Sequence, residues 1–107
     1  DNALEFNKRG GVGAISVTAN IVPKLCSDFQ KYSKSNKNEE VQEAEKINQI
    51  LQPIHHAMFV ESNPSPVKYA ASLLGLCEES VRLPLVEVTV STKETVKRAL
   101  QKANLLK

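Results

Sequence analysis

A glycine-rich loop, a histidine pair, a lysine among prolines and a run of carboxylates are the features of this chain whose residue types could do chemistry. Gly11-Val12-Gly13 has the composition of a phosphate-binding loop. Such a loop follows a strand and opens a helix, so that free amides converge on the anion. Here the order is reversed. Ala3, Leu4 and Phe6, with Lys8 and Arg9 behind them, read as a helix that the glycines stop. The glycines therefore read as a tight turn from helix to strand. His55 and His56 are adjacent, and neighbours on a helix point about 100° apart, too far to chelate one metal. Neither has a Glu or His four residues away, so the zinc-protease helix is not present, and a surface or boundary role is expected. Lys68, close to Pro66 and Tyr69, would act as a Schiff-base nucleophile only if desolvated and aimed into a pocket. On a helix it reads as a solvated or structural lysine. The acidic run Glu39 to Glu45 reads as a wet helix face. Cys26 and Cys77 stand far apart on apolar stripes, without a CxxC, and are expected to be reduced core residues with no metal between them.

The elements that position these residues follow from apolar spacing. Ala14-Ile15-Ser16-Val17-Thr18 reads as a short buried strand, and Asn20 with Pro23 opens the next helix. Helix, glycine turn, apolar strand, helix is one repeat of an α/β fold with helix-covered parallel strands. A lone strand leaves its backbone groups unpaired, so the chain reads as the tail of a larger α/β protein. Val22, Leu25, Cys26, Phe29 and Tyr32 repeat at three and four and line one helix face. The polar stretch Lys34 to Asn38 is the best internal boundary, with Asn38 as N-cap and Glu39 and Glu40 in the first turn.

Val41, Ala44, Ile47, Ile50, Leu51, Ile54, Ala57 and Met58 keep a 3.6 period across Pro53, where a kink and not a stop is expected. Asn63-Pro64-Ser65-Pro66 breaks the chain and starts a helix with Val67, Ala70, Ala71, Leu73 and Leu74 inside, capped by Gly75. Val86 to Val90 alternates like an edge strand but has no pairing partner, and reads as an extended loop. Ser91-Thr92-Lys93-Glu94 has the form of a capping box for a last helix with Val96, Ala99, Leu100 and Ala103 inside.

Composition narrows the classes. A chain of 107 residues, 41% hydrophobic and 24% charged, fits one globular domain or a large part of one. The net charge is +2 and the five aromatics are not interleaved with arginines, which argues against a nucleic-acid partner. The apolar runs fall short of the roughly 20 residues that cross a bilayer, and no signal-peptide pattern opens the chain.

Gly10 to Asn20 closely resembles the last barrel strand of the dihydrodipicolinate synthase family. Leu51-Gln52-Pro53, Phe59 to Lys68, Gly75-Leu76 and Val81 to Leu85 match the same family in the same order. The resemblance implies an α/β fold: residues 1–36 as the end of a (β/α)8 TIM barrel and residues 37–107 as a C-terminal all-α helical domain. It implies a cytoplasmic homo-oligomer, dimer or tetramer, in lysine and diaminopimelate biosynthesis, with no cofactor and no metal. The implied reaction joins pyruvate to L-aspartate 4-semialdehyde, a lysine on an earlier strand forming a Schiff base with pyruvate. That lysine and the catalytic tyrosines belong upstream, so no catalytic residue carries over and the chain by itself is expected to be inactive. One substrate-binding residue does carry over: Ile15, whose main-chain carbonyl lies beside pyruvate in this family. Lys68 matches a position outside the active site. Arg9 stands where relatives often carry an apolar residue, near a subunit contact in some, and Val86 to Val90 is more β-branched than the usual family loop. Two other readings stand beside this one: a stand-alone helical interaction module without catalysis, and another pyruvate-dependent aldolase of the same superfamily.

Overall fold

Five α-helices and one short 3-10 turn make up the computed structural model, which describes all 107 residues. In chain order they are α1 (Ala3–Lys8), the turn Thr18–Asn20, α2 (Pro23–Tyr32), α3 (Asn38–Met58), α4 (Ser65–Leu73) and α5 (Val90–Lys102). The long helix α3 is the centre of the layer. It packs on α1, the 3-10 turn, α2, α4 and α5. Ile21, Val22 and Phe29, Ala44 to Met58 on one face of α3, Val67 and Ala70 of α4, and Val96 and Leu100 of α5 form one continuous core. No helix is long and apolar enough to cross a membrane.

Three helices end on the same backbone device. In α1 the Gly10 amide donates to the Asn7 carbonyl (3.1 Å) and the Gly11 amide to the Phe6 carbonyl (2.9 Å). In α4 Gly75 and Leu76 donate to Ser72 and Ala71, both at 3.0 Å. In α5 Asn104 and Leu105 donate to Gln101 and Leu100, both at 2.9 Å. This paired closure needs a left-handed residue just past the helix, and Gly10 (φ 96°), Gly75 (φ 74°) and Asn104 (φ 58°) supply it. Gly11 meets a second constraint: a Cβ there would run into the Phe6 ring and carbonyl.

Several expectations need correction. The strand expected over Ala14 to Thr18 does not form. Residues 11–16 have no regular structure, Val17 and Thr18 curl into the 3-10 turn, and Ile15 is 108% exposed. None of the amides of residues 12–16 donates to a backbone carbonyl, because this chain holds no neighbouring strand to make a ladder. Within these residues the α/β pattern is therefore seen only as helix, turn, irregular segment and helix. Asn38 is the first residue of α3, and its N-cap is Lys37, with no side-chain cap. The helix runs unbroken through Pro53, but Ile50 lies off the buried face at 42% exposure. Cys77 is exposed just past α4, so it is not a core residue, whereas Cys26 is half-buried; both thiols are free.

The capping box also fails. Val90 is already helical, and the cap of α5 is Thr89, whose hydroxyl accepts from the Thr92 amide at 3.4 Å. Glu61, in the turn after α3, completes the cap from outside. Its Oε2 accepts from the Thr89 amide (3.0 Å) and the Thr89 hydroxyl (3.1 Å). Hydrogen bonding from the Thr92 side chain, then from the Thr89 amide, holds the Glu61 carboxyl below its ordinary value. A depressed carboxyl stabilises the fold above its unfolded pKa of about 4.3, and that contribution is lost as pH falls through the lower, folded value. The melting-temperature gap between the wild type and Glu61→Gln should therefore narrow as pH falls below about 4. A gap that stays constant over that range would show that the carboxylate charge is not what holds the cap.

Beyond the cap, the irregular stretch between α4 and α5 is tied at two more points. Ser65 donates through its hydroxyl to the Val86 carbonyl (2.7 Å), and Lys93 pairs with Glu79 at 2.7 Å while lying over the Tyr69 ring. Val88 is buried, while Val86 and Val90 on either side are exposed. The alternation seen in the sequence is thus that of a strap with one anchor and not of a strand, as expected for a loop.

Candidate functional site

The largest concave surface is an open cleft of about 570 Å³ between residues 14–18 and the C-terminal half of α3. Local chemistry shapes its near wall. After the glycine turn the chain runs without regular structure to Ser16 and then tightens. The Ala19 amide donates to Ser16 Oγ (3.2 Å), and the Asn20 side-chain amide donates to the Val17 carbonyl (3.0 Å). Ile21 donates to the Thr18 carbonyl at 2.9 Å, closing the 3-10 turn. Small hydroxyl and amide side chains thus satisfy backbone groups that a strand end would leave open.

The far wall comes from Gln52, His55 and His56 of α3 and from Phe59 just past its end. Gln52 donates to the Asp1 carbonyl (3.0 Å), drawing the start of the chain to the cleft edge. Thr18 is 1% exposed, and its Oγ1 lies 2.6 Å from His55 Nδ1, a hydrogen bond in which either group can be the donor. Burial pushes the His55 imidazole below its ordinary pKa and favours its neutral form. By sign, a histidine depressed in the fold stabilises above its unfolded pKa of about 6.5 and loses that contribution as pH falls through the folded value.

Of the residues singled out in the sequence, Ile15 lines this cleft, and its main-chain carbonyl accepts no hydrogen bond from the protein's backbone. Lys68 lies on α4, away from the cleft. The two histidines both face the cleft but only His55 is tied down, and the sequence reading missed its partner, Thr18. Residue 55 follows Ile54 of the core stripe, which places it at the edge of the buried face but names no partner. Arg9 is exposed and pairs with Glu5 one turn earlier, at 2.7 Å. No three metal-ligating side chains gather anywhere in the chain. The cleft carries hydroxyls, imidazoles, a carboxylate, a side-chain amide, the free main-chain carbonyls of residues 14–16 and apolar walls, and no lysine. It can bind and orient a small polar molecule, but it holds no lysine side chain with which to form a Schiff base.

The fold of this chain recurs within solved enzymes. A crystal structure of dihydrodipicolinate synthase from Thermotoga maritima matches with a TM-score of 0.90 and 33% identity, covering 98% of this chain and 35% of that one. A dihydrodipicolinate synthase from Acinetobacter baumannii, crystallised with pyruvate, matches with a TM-score of 0.87 and 36% identity, covering 98% and 35%. These neighbours are TIM-barrel enzymes, and this chain matches a mainly helical stretch of them. The chain belongs to the dihydrodipicolinate synthetase family, whose model matches residues 1–103. The 4-hydroxy-tetrahydrodipicolinate synthase of Pelagibacter ubique is 72% identical over 106 residues, 99% of this chain and 36% of that protein. The chain therefore spans about a third of the length of the relatives it matches.

Proposed function

We propose that this chain is the C-terminal portion of a 4-hydroxy-tetrahydrodipicolinate synthase, a lyase of lysine and diaminopimelate biosynthesis. Residues 1–36 end its barrel and residues 37–107 form its helical domain. The 72% identity to the Pelagibacter ubique enzyme carries this reading. In the whole enzyme a lysine outside this chain condenses with the keto group of pyruvate, releasing water. Loss of a methyl proton gives an enamine, whose carbon attacks the aldehyde of L-aspartate 4-semialdehyde; cyclisation follows. Splitting the carbon–carbon step in this way replaces one high barrier with lower ones. This chain's share is the pocket rim, where the Ile15 main-chain carbonyl lies beside bound pyruvate. A rim at a strand end suits a barrel, whose active sites lie at the C-terminal ends of the strands. The enzyme works in the cytoplasm as a homo-oligomer, dimer or tetramer, without a cofactor.

The test has two arms. An enzyme containing this segment should consume pyruvate with L-aspartate 4-semialdehyde and give a pyruvate adduct on borohydride reduction. The 107-residue chain, treated in the same way, should keep its mass. An adduct on Lys68 would overturn the assignment, and turnover with a different aldehyde alone would point to another aldolase of the superfamily.

A further inference from the structure

The segment that carries Ile15 runs into the Ser16 to Ile21 turn, which packs on α2 and α3. The turn is tied within itself by Ser16 and Asn20. Those bonds shape the turn but do not place it on the helical layer. The side-chain hydrogen bond from α3 to this turn is that between His55 Nδ1 and Thr18 Oγ1, at 2.6 Å. Thr18 is almost fully buried, and a buried hydroxyl without a partner bears its full desolvation cost. The pairing is therefore enforced from both sides: the hydroxyl has no solvent to turn to, and the half-buried imidazole is held neutral, with one donor and one acceptor nitrogen.

We propose that His55 is a positioning residue for the pyruvate site: by holding Thr18 it fixes the turn three residues beyond Ile15, and so sets where the Ile15 carbonyl meets the substrate. This rests on the reading of Ile15 as the substrate-binding residue of a pyruvate-condensing enzyme. His55 touches no reacting atom. It acts through Thr18, so its removal should weaken pyruvate binding more than turnover, since an interaction made equally in ground and transition states appears in KM.

The experiment uses the enzyme containing this segment, in four variants: His55→Leu, His55→Asn, Thr18→Val and Thr18→Ser. In His55→Leu and Thr18→Val the pyruvate KM should rise about tenfold while kcat changes little, and the double variant should be no worse than either single one. His55→Asn and Thr18→Ser each keep a hydrogen-bonding group at the contact and should restore most of the KM. If His55→Leu does not fold, Thr18→Val, which keeps the shape of threonine, carries the same comparison. In the 107-residue chain, the Nδ1 resonance of His55 should shift on Thr18→Val. A wild-type enzyme that does not turn over pyruvate overturns both this proposal and the reading beneath it. An active wild type whose pyruvate KM is unmoved by the Leu and Val variants, or not rescued by Asn and Ser, overturns this proposal alone.

Discussion

Ile54→Ala is expected to destabilise the chain by about 2–5 kcal/mol, the range for truncating a fully buried isoleucine. Ile54 has no exposed surface, and it sits on the face of α3 that also buries Leu51 and Met58. Alanine would remove three carbons and leave a void whose walls belong to several helices. Such walls cannot all collapse on the gap at once, because α3 is packed on every other element. A domain of this size holds only about 5–15 kcal/mol of stability, so the loss should lower the melting temperature by roughly ten degrees or more. Ile50 supplies the control. It lies on the same helix and is 42% exposed, so Ile50→Ala should cost about 1 kcal/mol or less. Denaturant melts of the two variants decide the matter, and equal losses would mean that the buried stripe of α3 has been misplaced.

The second large effect concerns the backbone at Ile15. Within the whole enzyme, Ile15→Pro should reduce kcat/KM for pyruvate by about a hundredfold or more, the scale on which misplacing a contact by an ångström acts. Proline fixes φ near −65°, disfavours the helical region for the residue before it, and has no amide to donate to a neighbouring strand. Each of these moves the carbonyl. Ile15→Val keeps the backbone and should change pyruvate binding little. In the 107-residue chain the Ile15 side chain is fully exposed, so Ile15→Val should leave the melting temperature unchanged within the equivalent of about 0.5 kcal/mol. Pyruvate kinetics of both variants, with melts to check folding, separate the cases. Equal losses in two folded variants would place the contact on the side chain and end the assignment of the carbonyl.

What could be read from the sequence divides along physical lines. Elements whose causes are local were legible: α2 and α3 from their apolar spacing, α4 from its prolines, and the ends of α1 and α4 from Gly10 and Gly75. Each signal lies within a few residues of what it determines. The Ala14 to Thr18 strand failed because a strand is a relation between segments, and its apolar pattern cannot supply the partner. The cap of α5 failed for a similar reason. Ser91 to Glu94 has the right letters, but Thr89 wins because Glu61, 28 residues away, supports it. At the site, Ile15 came from the family resemblance, while the Thr18 and His55 contact spans 37 residues and left no trace in either segment alone.

The place of α3 in the chain bears on how quickly the molecule can form. Its partners α2 and α4 are joined to it by residues 33–37 and 59–64 only, so those docking events close short loops. Short loops cost little chain entropy, and helical proteins dominated by near-neighbour contacts fold fastest. The long span of residues 74–89 must be closed before Val96 and Leu100 of α5 can reach the core. Docking of α5 is therefore the natural late event, with α2, α3 and α4 assembling first around the central helix. The rate-limiting search is then for a single amphipathic helix to find its groove.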